Sequence, residues 1–237
     1  MNENIPWTGS GDRFWEWLAE NRTRAIVLGI LIVVPFIAWQ YSVSLRARQQ
    51  LDAYTKIQEL GGKIGWDRDN QWYGVDFSGM SVGDDEVAML ASFPEFTSLN
   101  FSHTNMTDAG LAKLRNRQGL LALSLRGTKV TDEGLKNLGE LKQLQRLNLA
   151  ETSVADAGLE HLGAMHQLQW LSLAKTNVTD AGLEHLRGLK TVRTLHLAGS
   201  KVTPEAIAVL KRDRPGLRIN PKRHTEDNDW DDTESQP

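Results

Sequence analysis

From Thr104 onward the chain repeats one phrase every 24 residues: TNMTDAGL from Thr104, TKVTDEGL from Thr128, TSVADAGL from Thr152, TNVTDAGL from Thr176 and a weaker SKVTPEAI from Ser200. An eroded copy, MSVGDDEV, starts at Met80 on the same period. A unit this short cannot bury its own apolar face, so self-similarity at a fixed period demands that units stack side by side into a solenoid.

The columns of the repeat say how each unit is built. The stretches FTSLNFSHT, LLALSLRGT, LQRLNLAET, LQWLSLAKT and VRTLHLAGS share the pattern LxxLxLxxT, in which apolar residues alternate as on a short strand. Parallel strands need a crossover, and the rest of each unit supplies it. Past the turn, Met106, Val130, Val154, Val178 and Val202 are expected inside, followed by a short helix with Thr107, Thr131, Thr179 or Thr203 as N-cap and Asp108, Asp132, Asp156 or Asp180 complementing its dipole. Ala155 breaks the cap column, where Asp156 is expected as a substitute, and Pro204 takes the first helical position of the last copy.

Leucines three apart, such as Leu111 with Leu114 and Leu159 with Leu162, then share a buried helix face. Recurring glycines just inside these helices, Gly110, Gly134, Gly158 and Gly182, imply close approach of neighbouring backbones, because glycine there otherwise costs about 1 kcal/mol. The column Thr104, Thr128, Thr152, Thr176 and Ser200 enters the interior, so its hydroxyls should bond backbone of the turn or the adjacent coil.

This pattern resembles the leucine-rich repeat family, in the ribonuclease-inhibitor-like bacterial variant written LxxLxLxxTxVTDAGLxxLxxL. The resemblance covers roughly residues 72–221 and implies an α/β solenoid, with parallel strands on the concave face and short helices on the convex face. It also implies protein interaction as the usual role. Where many members carry an asparagine, this chain has Thr104 and its equivalents, so no asparagine ladder carries over.

Ahead of the repeats, the 21 residues between Arg24 and Arg46 hold no charge, and a helix of that length spans roughly the 30 Å of a bilayer core. We read 25–45 as an uncleaved transmembrane helix, with Trp39 and Tyr41 at the interface, since no small-residue cleavage site follows it. Residues 1–24 then form a tail with a short amphipathic helix around Phe14 and Leu18. Basic residues flank the span almost equally; we place the N-terminus inside and the repeats outside the cytoplasm. Residues 46–71 read as a stalk helix and N-terminal cap, 72–221 as the repeat domain closed by a strand through Leu217 and Ile219, and 222–237 as an acidic disordered tail.

The net charge of −3 is concentrated in that tail, which carries six acidic and two basic side chains. No basic field remains to hold a phosphate backbone, which argues against nucleic acid as a partner. The chain has no cysteine, hence no disulfide and no thiolate chemistry. Phosphate loops, GxSxG and HExxH are missing too. GLEHL occurs twice and sets His161 and His185 in one column, but on the outer face, where solvated histidine is the simpler account. We therefore expect no catalytic residue, metal or cofactor.

What remains is the concave sheet, whose outward columns read Asp76, Asn100, Ser124, Asn148, Ser172, His196 and Ser98, Ala122, Arg146, Trp170, Thr194. Most are small and weakly polar. Arg146 and Trp170 stand out on adjacent strands as residue types enriched in binding hot spots, with His196 a diagonal step away and Arg126 and Glu151 close by. We therefore assign partner binding to Arg126, Arg146, Asn148, Glu151, Trp170, Ser172 and His196. The expected function is that of a membrane-anchored, non-catalytic scaffold or receptor for another protein. Alternatively it binds a glycan or cell-envelope ligand stacked on Trp170.

Overall fold

The computed structural model describes residues 54–67, 72–91 and 96–220, together with Gln40, Arg48, Leu51 and Asp52, which are helical. Contacts divide the chain into Met1–Asp52 and Ala53–Pro237. Apart from those four residues, the first unit lies outside the described residues. With it lie the expected amphipathic helix and membrane span; the acidic tail 222–237 lies outside them as well. Among the described residues no helix is long and apolar enough to cross a membrane.

The second unit is an α/β solenoid built on one eight-stranded sheet in sequential order. Its strands are β1 (Lys63–Asp67), β2 (Trp72–Asp76), β3 (Ser98–Asn100), β4 (Ala122–Ser124), β5 (Arg146–Asn148), β6 (Trp170–Ser172), β7 (Thr194–His196) and β8 (Arg218–Asn220). β1 runs antiparallel to β2, and every later pair is parallel with a register offset of one repeat, Leu99 on Leu123 on Leu147 on Leu171 on Leu195 on Ile219. Helices at Asp84–Ala91, Asp108–Lys113, Asp132–Leu135, Asp156–Leu159, Asp180–Leu186 and Pro204–Asp213 return the chain to the next strand. In two coils the return is a single α-turn followed by 3-10 helix, at Leu138–Glu140 and Glu160–Ala164.

The expected core columns are the observed core except at Val202 in the last coil, which is only partly buried. Leu99 through Leu171, Phe101 through Leu173 and Met106 through Val178 are fully buried, as are Leu111, Leu114, Leu135, Leu138, Leu159 and Leu162. Truncating any of these to alanine would cost about 2–5 kcal/mol, the range for a buried leucine that leaves a cavity. Each hydroxyl of the interior threonine column donates to the carbonyl three residues back: Thr104 to Phe101, Thr128 to Leu125, Thr152 to Leu149, Thr176 to Leu173 and Ser200 to Leu197, at 2.6–2.8 Å.

The aspartate column does something the dipole argument did not foresee. Thr131 caps its own helix through the amide of Glu133, while its amide and its hydroxyl both donate to the Asp108 carboxylate of the preceding coil, at 2.8 and 2.6 Å. The same fork joins Asp84 to Thr107, Asp156 to Thr179 and Asp180 to Thr203. These forks form a ladder along the convex side, each aspartate serving the coil after its own. At Ala155 the expected substitute cap is not found, because Asp156 is committed to Thr179; the helix has no side-chain cap, and only the Ala155 amide reaches Asp132.

The ladder also corrects the glycine reading. A Cβ on Gly134 would lie 2.2 Å from the Asp108 Oδ1, and one on Gly182 2.3 Å from that of Asp156. The atom that forbids a side chain is thus the carboxylate of the previous coil. Burial pushes the Asp84 carboxyl up, but the Thr107 hydroxyl and amide, the Gly110 amide and the Lys113 charge outweigh it and hold the group below its ordinary 3.8. In the last coil Pro204 occupies the aspartate position, and the ladder ends there.

Both ends are closed by different means. The helix over 54–59 stops in a Schellman motif, with the Gly61 amide donating to Gln58 and the Gly62 amide to Ile57, and Gly61 sits at φ 81°. This delivers β1 to its antiparallel place on β2 while Ile57 is buried against the first coil. The rings of Phe77 and Phe101 stack there at 5.8 Å, and Tyr54 meets Phe96 edge-on at 6.3 Å. At the other end Arg214 donates to the Val192 carbonyl at 2.6 Å.

Candidate functional site

In a strand the middle residue of three faces the core and its neighbours face away, so the outward rows of β3 to β7 are those anticipated from the sequence. Their exposure is not. Ser124, Asn148 and Ser172 are 1%, 5% and 2% exposed, and His196 and Trp170 are 7% exposed. The expected open columns are therefore largely closed to solvent, and of the assigned residues Arg126, Arg146 and Glu151 are the ones partly accessible.

Part of the closure is local chemistry. Asn148 Oδ1 accepts the Ala150 amide at 3.0 Å, Asn100 Oδ1 accepts the Ser102 amide at 3.0 Å and its hydroxyl at 2.6 Å, and Asp76 does the same for the Ser78 amide at 2.8 Å. These are Asx turns that end each strand, so Asn148 is occupied in folding its own coil. Ser124 is hydrogen-bonded to Ser102 across one strand spacing at 2.8 Å.

The structure brings the distinctive residues together in two groups. Arg146 and Trp170 are register partners on β5 and β6, and the Trp170 ring packs against the His196 ring of β7, centroids 5.1 Å apart and planes tilted by 45°. At the turn that follows the strands, Arg126 Nη2 donates to Glu151 Oε1 at 3.3 Å, and Lys175 Nζ donates to the same oxygen. The network ties three successive coils. Burial pushes the Glu151 carboxyl up, but the Lys175 hydrogen bond and the charges of Arg126 and Lys175 prevail and hold it below its ordinary 4.5.

Glu151 and Lys175 belong to a column in left-handed conformation: Gly79, His103, Gly127, Glu151, Lys175 and Gly199, with φ between 54° and 73°. Half of these positions carry a side chain where glycine is the unstrained choice, a cost of order 1 kcal/mol each. Sequence reasoning did not single out Lys175 or His103. The signal available was the alternation of glycine with non-glycine in one column of the repeat.

The convex histidines behave as expected of a solvated face, His185 exposed and His161 partly so. Among the described residues, no three His, Cys, Asp or Glu side chains are grouped so as to hold a metal.

A family model described as "Leucine Rich repeat" matches residues 96–114 and 120–139. The match spans two successive coils, those built on β3 and β4. No curated protein matches the chain significantly. Solved structures similar to it include internalin C2 from Listeria monocytogenes, at 18% identity and TM-score 0.45, covering 62% of this chain and 79% of that one. A second internalin of the same organism has 18% identity and TM-score 0.49, with 65% and 49% covered. The leucine-rich repeat ectodomain of the receptor kinase SOBIR1 from Arabidopsis thaliana has 14% identity and TM-score 0.40, with 64% and 92% covered.

Proposed function

We propose that this chain is a non-catalytic protein-binding module of the ribonuclease-inhibitor-like bacterial kind, held at a membrane by residues 25–45 with its repeats outside the cytoplasm. The reading is carried by one observation: Arg146 and Trp170, the large side chains in otherwise small and weakly polar outward rows, are register partners on adjacent strands, with the Trp170 ring against His196. Arg146, Trp170 and His196 form a basic and aromatic centre, flanked by the Arg126, Glu151 and Lys175 network. A glycan platform fits less well, since Trp170 is 7% exposed and turns its ring toward His196. The concave residues assigned above remain the proposed contact set.

Arg146 is the informative position because it is partly accessible and is not part of the apolar core. In crosslinked capture from the native membrane with the full chain as bait, Arg146→Ala should reduce recovery of partners about tenfold, equivalent to 1.4 kcal/mol. The melting temperature should stay unchanged. Equal recovery would remove the concave centre from the binding surface.

A further inference from the structure

The loops that carry the chain from each helix back to the next strand lie side by side along one edge of the solenoid. Consecutive coils are hydrogen-bonded there: the Gln145 amide donates to the Leu121 carbonyl, that of Gln169 to Gln145 and that of Arg193 to Gln169, at 2.7–2.8 Å. Residues one repeat apart along this edge are therefore about 4.8 Å apart, the spacing of paired strands. Successive loops display the same order of chemistry. Lys142, His166 and Lys190 share one column and are exposed. Gln143 and Gln167 share the next, exposed as well, and Gln145, Gln169 and Arg193 form the column just before the strands, where only Gln145 is partly buried.

Charge in the repeats is segregated, which a net value for the chain conceals. Asp108, Asp132, Asp156 and Asp180 stand at helix N-termini, at the far end of each crossover, whereas 142–145, 166–169 and 190–193 contain no acidic residue. Arg187 beside them is held by Glu184 at 2.7 Å and Asp213 at 3.8 Å, but among the described residues Lys142, Lys190 and Arg193 enter no ion pair. The make-up of the edge selects among anionic partners. Single-stranded nucleic acid is held by aromatic side chains that stack on its bases, and these segments have none. Protein interfaces are poor in lysine, and a bilayer surface asks only for charge. Here cations alternate with side-chain amides, which donate and accept at once, as bonding to hydroxyls requires. A linear sugar chain advances by about one strand spacing per ring, so an acidic one offers carboxylates and hydroxyls at the period of the coils.

We propose that the strand-entry edge over 142–145, 166–169 and 190–193 binds a linear acidic polysaccharide, with a carboxylate on successive sugars, laid across the coils. Lys142, Lys190 and Arg193 pair with its carboxylates, and Gln143, Gln167 and Gln169 bond the hydroxyls between them. The site is separate from the concave centre and does not depend on it.

Oligogalacturonate, a linear chain with one carboxylate per sugar, serves as the probe, and its methyl ester as the uncharged counterpart. Titrated into the full chain, the acid should shift amide signals of 142–145, 166–169 and 190–193 and not those of the helices at 108–113 and 132–135. The methyl ester should leave all of them in place. Lys142→Glu combined with Lys190→Glu should weaken binding about tenfold or more. Gln143→Ala combined with Gln167→Ala leaves the charge untouched and should weaken it severalfold. These side chains are exposed, so the melting temperature should stay unchanged in both variants. Absence of shifts at those segments, equal binding of the methyl ester, or full affinity in either variant overturns the proposal. So does tighter binding of oligodeoxythymidine or of phosphatidylglycerol vesicles than of oligogalacturonate, since charge alone then decides. Failure of the concave reading is separate: it appears as unchanged partner recovery for Arg146→Ala, a variant that should bind the probe as the native chain does.

Discussion

Ala155 shows how much one missing atom matters in a structure where each coil supplies its neighbour. Asp132 Oδ1 accepts the Ala155 amide at 2.7 Å, but Ala155 offers no hydroxyl for the second carboxylate oxygen, a role threonine fills at the other rungs. Ala155→Thr should therefore donate to Asp132 and cap the helix starting at Asp156, raising stability by about 0.5–2 kcal/mol in denaturant unfolding. No gain would mean that the fork is geometric coincidence. At this scale the sequence was legible for threonine and opaque for aspartate. Thr131 has a local task, capping the helix it precedes, and local tasks show in spacing. Asp108 bonds an amide 23 residues away, and nothing in its immediate surroundings reveals that. Arg117 is a similar case: it stands in a leucine column, yet is buried and donates to the Leu90 and Phe96 carbonyls at 3.1 and 2.8 Å.

At the scale of elements, neighbouring coils are coupled by contacts that pairwise substitution can expose. Gly134→Ala alone should destabilise despite alanine's helix preference of about 1 kcal/mol, because its Cβ would meet Asp108 Oδ1 at 2.2 Å. Combined with Asp108→Ala the cost of the two should be clearly less than additive in a double-mutant cycle; strict additivity would refute the contact as the reason for glycine. The turn network predicts a pH dependence. Glu151 is held below 4.5 in the folded chain, so its contribution is complete above that value and lost as pH falls through the lowered native one. Thermal unfolding of the native chain and of Glu151→Gln should differ at neutral pH and converge in acid; a gap that persists in acid would assign the difference to packing. The elements of the repeats were readable in advance, and the burial of the outward rows was not. Alternation tells which side a residue faces, whereas Asn148 and Trp170 are closed off by a turn and by a ring on the next strand.

For the whole second unit, stability is a sum along one dimension, and the ends differ from the middle. Core leucines of β3 to β6 are fully buried, whereas Leu210, Leu217 and Ile219 in the last coil keep 4–9% exposure and Val202 is only partly buried. Hydrogen exchange should accordingly be slowest for amides of β4 to β6 and fastest for β8, with a gradient between; uniform protection would indicate a single cooperative block. The convex ladder bears on how such a chain can lengthen. Because each aspartate serves the following coil, a tandem duplication of 24 residues inside the array brings both halves of every rung with it and leaves none open. A unit appended after Asn220 would instead find Pro204 where its threonine needs a carboxylate. Growth of the array is therefore open in the interior and closed at this end, and one proline marks the limit.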